Sequence, residues 1–228
     1  MTTGKYHALS EHSATVFQLQ MLAVSYRGSA LFKEITLSLK AGQILVIMGP
    51  SGCGKSTLLA AIAGSLSADF SIAGDIILQR KSLLGLPIEQ RQIGIQFQED
   101  LLFPHLNVAG NLLFALAKGD RQQRMIEVRE ALASAGMQGF ELRDVATLSG
   151  GQKARVSLLR TLLSKPKLLL LDEPFSRLDD KLRQDFREFV FAQVRKMNIP
   201  VILVTHDLQD CLNQQYYNLA SGAFEALN

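Results

Sequence analysis

Nine residues, Gly49-Pro50-Ser51-Gly52-Cys53-Gly54-Lys55-Ser56-Thr57, restrict what this chain can fold into more than any other feature. They fit the pattern G-x-x-x-x-G-K-[ST], and their context fits too. A continuous apolar run, Gln43–Met48, precedes them, and a helical stretch, Ser56–Ala63, follows and stops at Gly64. A short run that is apolar throughout reads as a strand buried on both faces, as in a parallel sheet covered by helices. The glycines let backbone N–H groups curl around phosphate oxygens, and the next helix's N-terminus adds partial positive charge. Lys55 is placed to reach the β- and γ-phosphates, and the Ser56 hydroxyl to ligate Mg2+.

The rest of the chain supplies elements to match. Phe17–Tyr26 and Leu31–Leu39 alternate with period two and read as antiparallel strands joined across Gly28. Ser71–Leu78 and Ile93–Phe97 read as further strands, and Leu168–Asp172 and Val201–Thr205 as buried ones. Between them, Val108–Ala117, Arg121–Ala135 and Gly150–Leu163 have helical spacing, which predicts a helical subdomain over about 101–163 inserted into the α/β core. Lys181–Met197 puts Leu182, Phe186, Phe189, Val190, Val194 and Met197 on one face and so packs outside the sheet. With 228 residues, 47% hydrophobic and 20% charged, the chain suits one such domain and is not a disordered sequence. Residues 1–15 read as a flexible tail and 16–228 as the domain.

Two cysteines, Cys53 and Cys211, make no disulfide framework and point to a reducing compartment. A net charge of +3 is mild, and the basic stretch Arg121–Arg129 reads as a solvated helix face. No apolar run approaches the roughly 18 residues of a spanning helix, and Met1–Ala14 lacks the apolar core of a signal peptide.

Two further motifs narrow the reading. Leu148-Ser149-Gly150-Gly151-Gln152 follows the phosphate loop by about one hundred residues and precedes Leu168-Leu169-Leu170-Leu171-Asp172-Glu173-Pro174 by one helix's length. In this order and spacing the three resemble the ATP-binding cassette family, from about Phe17 to the C-terminus. The resemblance implies a P-loop NTPase core of mostly parallel sheet, with an antiparallel β subdomain and an inserted helical subdomain. It implies an ATPase that uses ATP and Mg2+.

The resemblance also implies roles. Asp172 serves Mg2+, with Ser56 and Gln98; Glu173 polarises the attacking water; Gln98 touches both metal and water; His206 contacts the γ-phosphate; Tyr26 stacks on adenine. Ser149, Gly150, Gly151 and Gln152 sit at a helix N-terminus, an anion-binding geometry without a lysine, and by resemblance complete the site of a partner subunit. Ser176-Arg177-Leu178-Asp179 matches the loop along that dimer interface, although the family usually has a small residue where Arg177 stands. Cys53, among the loop donors, is either a redox-sensitive thiol or a small side chain pointing off the loop. Glu99–Val108, with Phe103-Pro104-His105, resembles the importer surface that receives a helix of the membrane subunit, and is equally a packed turn entering the helical subdomain.

The expected protein is therefore the ATP-hydrolysing subunit of an importer-like membrane transporter. It pairs with itself or a similar chain around two MgATP and docks separate permease subunits on the cytoplasmic face of the membrane. A solute-binding protein is a further possible partner, and no nucleic acid is expected. The competing readings fit less well. Cassette ATPases of chromosome maintenance carry a long coiled coil between phosphate loop and signature, and translation-type members carry two cassettes. A non-catalytic nucleotide sensor has no need of Lys55, Asp172, Glu173 and His206 together.

Overall fold

The computed structural model describes residues 15–211 and 215–227, so the expected N-terminal tail up to residue 14 lies outside the described residues. The strands are β1 (Thr15–Tyr26), β2 (Ser29–Ala30), β3 (Ile35–Lys40), β4 (Ile44–Met48), β5 (Phe70–Leu78), β6 (Lys81–Ser82), β7 (Ile93–Gln96), β8 (Leu168–Asp172), β9 (Val201–Val204), β10 (Gln215–Asn218) and β11 (Ala223–Ala226). The helices are α1 (Lys55–Ala63), α2 (Val108–Ala115), α3 (Arg121–Ser134), α4 (Gly150–Leu163) and α5 (Asp180–Met197). One sheet runs β11-β10-β4-β9-β8-β7, parallel except for the β10–β11 hairpin. The other is antiparallel, with β1 central between β5, β2 and β3.

The unbroken apolar runs of β4, β8 and β9 have a direct cause. Alternate residues serve different cores. Leu45, Ile47, Leu168, Leu170, Ile202 and Val204 face α1 and the antiparallel sheet, whereas Val46, Met48, Leu169, Leu171, Val201 and Leu203 face α4 and α5. Every residue of β9 is 0% exposed, leaving no face for a polar side chain. A third core of Val108, Leu112, Val128, Leu132, Val145 and Val156 joins α2, α3 and α4. Helix α4 belongs to two cores: Leu158 and Leu162 pack toward the sheet, Val156 and Leu159 toward α2 and α3.

Several boundaries differ from those expected. The strand expected over Leu31–Leu39 starts at Ile35. After Leu31 donates to the Val24 carbonyl, the chain leaves the ladder, and Phe32 lies where a Cβ on Gly54 would come within 2.9 Å. These residues cover the phosphate loop instead of extending the sheet. In β1 the alternation slips phase at Met21, a bulge with φ 46° and 61% exposure, so Phe17 and Leu19 and then Leu22 and Val24 are buried. This strand begins at Thr15, the last residue of the expected tail. Helix α2 ends at Ala115, two residues early, because extended Leu116 turns into the third core. Helix α5 starts one residue earlier than expected, with Asp179 accepting from the Leu182 N–H. Phe191, not among the expected packing residues, is buried beside Phe186, Val190 and Val194.

Asn111, at 0% exposure, organises the turn into the helical part. Its Oδ1 accepts from the Phe103 N–H at 2.8 Å, and its Nδ2 donates toward the carbonyls of Phe103, Leu106 and Asn107 at 3.1–3.2 Å. Asn111→Ala strands these groups. At about 1–3 kcal/mol for an unsatisfied buried group, urea denaturation should show a loss of at least about 2 kcal/mol, with faster amide exchange at Phe103.

Candidate functional site at the C-terminal edge of the parallel sheet

Because β7, β8, β9 and β4 are parallel, the loops leaving their C-terminal ends emerge at one edge. These loops carry Gln98, Glu173, His206 and the phosphate loop. Strand β9 lies between β4 and β8, which puts His206 between the phosphate loop and Glu173.

The loop Gly49–Thr57 wraps the N-terminus of α1. Gly54 is its N-cap at φ 98°, a left-handed conformation that a side chain resists, and Phe32 occupies the space a Cβ would need. The Lys55 residue is 8% exposed, and its Nζ reaches back across the loop to the carbonyls of Gly49 at 2.8 Å and Pro50 at 3.0 Å. Ser51 and Gly52 at the loop tip are exposed, as is Ser56 at the start of α1, with Thr57 partly buried behind it. Cys53 turns inward. A Cβ on Gly49 would come within 2.6 Å of its sulfur, and the residue packs against the first core. Of the two expectations for this thiol, the geometry favours the small side chain pointing off the loop. Cys211 is the other free cysteine; burial, with Asp210 and Asp207 nearby, pushes its thiol up to about 11.

Asp172 ends β8. Burial raises its carboxyl above the usual range, a hydrogen bond with Ser56 pulls it back, neighbouring Glu173 raises it, and Lys55 lowers it. The carboxylate at the strand end and the hydroxyl at the helix start therefore face each other. Glu173 follows with φ 47°, an unusual backbone for a residue with a side chain, held by its N–H to the Val204 carbonyl at 2.9 Å. Its Oε2 lies 3.2 Å from Nδ1 of His206, whose side chain is 64% exposed. Strained backbone at a polar sheet edge is the pattern of a functional site.

Gln98 is exposed, two residues beyond the end of β7. The following residues are tied to α4: Ser157 donates to the Asp100 carbonyl at 2.6 Å, and Arg160 to the Leu101 and Asp100 carbonyls at 2.8 and 3.2 Å. Burial raises the Asp100 carboxyl, with Lys153, Arg177 and Arg160 opposing the rise. Arg177 pairs with Glu99 at 2.9 Å, both more than half exposed. This bridge between the loop at Ser176–Asp179 and the loop at Gln98 has no local signature, because its members stand 78 positions apart.

At the other end of α4, Ser149 and Gln152 form a reciprocal cap. The Ser149 Oγ accepts from the Gln152 N–H at 3.3 Å, and the Gln152 side chain accepts from the Ser149 N–H at 3.0 Å. Ser149 and Gly150 are exposed and Gly151 is buried against Leu182. Among the described residues, no hydrogen bond links Ser149–Gln152 to the phosphate loop of the same chain. Tyr26 stands at the end of β1, 37% exposed, its ring 5.0 Å from that of Phe70 and 5.2 Å from the Arg27 guanidinium. Along β7, between α2 and α4, a groove of about 610 Å3 is lined by Ile93, Ile95, Leu101, Phe103, Phe114 and Arg160, with Phe114 69% exposed.

Comparison with known proteins shows the family. A family model described as ABC transporter matches residues 32–176. The uncharacterised ABC transporter ATP-binding protein YnjD of Escherichia coli is 51% identical over 185 residues, covering 80% of this chain and 84% of YnjD. The spermidine/putrescine import ATP-binding protein PotA of Mesoplasma florum is 41% identical over 202 residues; the match covers 87% of this chain but 56% of PotA. Among solved structures, the ATP-binding cassette MJ0796, a dimer in a post-hydrolysis state bound to ADP and Pi, superposes with a TM-score of 0.76 at 26% identity, covering 93% of this chain and 99% of that one. The chain belongs to the ABC transporter family as an ATP-binding, ATP-hydrolysing protein.

Proposed function

We propose that the chain works as one half of a head-to-tail pair, each ATP held by the phosphate loop of one subunit and the signature of the other. The observation that carries this reading is the end of α4. Its exposed N-terminus offers anion-binding N–H groups and the Ser149 hydroxyl, and among the described residues none of these hydrogen-bonds its own phosphate loop. The dimeric MJ0796 cassette with ADP and Pi supports the pairing. The roles follow from the chemistry. Lys55 and the N–H groups of Gly49–Thr57 bind phosphates, Glu173 accepts a hydrogen bond from the attacking water, and His206, its Nδ1 engaged by Glu173, presents its other ring nitrogen to the γ-phosphate. Tyr26 offers an exposed ring for adenine.

Mg2+ suits the residues here. Ser56, Asp172 and Gln98 are hard oxygen donors, and half-buried Asp172 stands beside a second carboxylate, Glu173, with Lys55 offsetting part of that negative charge. The ion would neutralise charge on the phosphates. The groove along β7, with Leu101 and Phe114 exposed, suits an apolar helix face of a membrane subunit. Among the described residues no helix is long and apolar enough to cross a membrane. In this reading separate membrane subunits span the bilayer and this protein docks on their cytoplasmic face. The PotA relatives, named for import, favour an importer.

Glu173→Gln keeps the shape and removes the charge that polarises water. ATPase activity should fall about 10²–10⁴-fold while ATP binding persists, and size-exclusion with MgATP should show a longer-lived dimer. More than a tenth of wild-type turnover would move the catalytic role elsewhere.

Asp172→Asn separates stability from function. Since folding raises this carboxyl, the folded state holds the proton more tightly, and stability falls as pH climbs from the ordinary carboxylate value through the raised one. Removing the charge should therefore raise the nucleotide-free melting temperature at pH 8. MgATP at one hundred times its Kd should stabilise wild type by about 2.7 kcal/mol and the variant far less. An equal MgATP shift in both proteins would remove Asp172 from the metal site.

The pairing itself is tested by complementation. Lys55→Ala and Ser149→Arg homodimers should each be inactive, but after subunit exchange half the dimers hold one intact site, restoring about a quarter of wild-type activity if sites act independently. A wild-type/double-variant heterodimer splits the intact halves between its sites and should stay inactive. Activity in that control with none in the complementing mixture would overturn the head-to-tail arrangement.

A further inference from the structure

We propose that Arg187, Asp210 and Thr205 form a buried polar clamp that holds His206 against Glu173, making them positioning residues for ATP hydrolysis. This rests on the reading of His206 and Glu173 given above. With its side chain 64% exposed and Glu173 its one charged partner among the described residues, the imidazole is not fixed by packing. Its backbone must hold it.

That backbone is tied on both sides. Thr205, 3% exposed, donates its N–H to the Ile47 carbonyl of β4, the strand that leads into the phosphate loop. Its Oγ1 donates to Asp210 Oδ2 at 2.6 Å and accepts from the Asp207 N–H at 3.1 Å, so one hydroxyl bridges the residues flanking His206. Asp210 is 2% exposed, and its Oδ1 receives Arg187 Nε at 3.0 Å and Nη2 at 2.7 Å. The same guanidinium lies 5.7 Å from the ring centroid of Phe175, a 1% exposed residue two positions after Glu173. Arg187 on α5 therefore touches both the segment after Glu173 and the segment after His206. One turn earlier Arg183 pairs with Asp207.

A buried ion pair is a poor device for stability alone, since apolar residues of similar volume often serve as well or better. Here it stands directly behind two residues of the reaction, where a fixed geometry has value. The double substitution Arg187→Met/Asp210→Leu removes both charges and keeps volume. Thr205→Val removes the bridging hydroxyl while leaving Asp210 paired.

Single-turnover and steady-state MgATP hydrolysis on these variants, with melting temperatures, form the test. Both should lose about tenfold in kcat with KM for MgATP within about twofold, the pattern of an interaction that matters in the transition state. Thr205→Ser should recover most of the turnover. Added to His206→Ala, Thr205→Val should lower the residual rate less than about twofold, because the clamp acts only through His206. A folded Thr205→Val protein with wild-type kcat, or an equal loss with and without His206, overturns the clamp. In either case a crippled His206→Ala leaves the role of His206 standing. Wild-type turnover by His206→Ala removes that role and the clamp together.

Discussion

Burial of β4, β8 and β9 on both faces is the constraint from which the site follows. A strand with no wet face must be paired along both edges and covered above and below, which here means a parallel sheet with α1 on one side and α4 and α5 on the other. Parallel strands send their C-terminal loops to one edge. The phosphate loop, Asp172, Glu173 and His206 are therefore neighbours for the same reason that the core is apolar. An antiparallel pairing of β8 with β9 would separate Glu173 from His206 by the length of a strand.

The two helix N-termini of the site are built differently. At α1 the donors are left to the loop, with Gly54 as a cap that offers no side chain and a buried lysine reaching back across it. At α4 the cap is satisfied within itself by Ser149 and Gln152. The first gathers backbone N–H groups and a lysine at one helix start; the second is a stable, exposed end whose cap is closed on itself, in keeping with the proposed role of facing an anion held by a partner. Helix α4 also grips the loop after Gln98 through Ser157 and Arg160, and packs into both the sheet and the helical part. A shift of the helical part would thus be felt at Gln98 and Ser149 together.

Most of the fold was legible because its signals are local. The bounds of α4 and β8 match the expected ones, since a capping motif and a strictly apolar run announce them. The strand expected over Leu31–Leu39 was overextended because Leu31 and Phe32 look like strand residues; their task, covering Gly54, depends on a loop more than twenty positions away. The bulge at Met21 was hidden because alternation persists on either side of it. Of the site, phosphate-loop residues and the carboxylate pair could be read one by one from their spacing. The pairs Arg177–Glu99 and Arg187–Asp210 could not, since each joins ordinary surface-type residues from distant segments.

The sequence by itself determined the class of fold, the nucleotide loop and the groups expected to act on ATP. Periodicity, glycine placement and motif spacing express local backbone physics, and a linear chain records these directly. Only the tertiary structure decided that Cys53 faces the core, that His206 meets Glu173 at 3.2 Å, and that a buried ion pair stands behind them. Such facts depend on which distant segments are packed together and on how little water remains between them. Charge pairing and burial are properties of that packing, and no residue carries them alone.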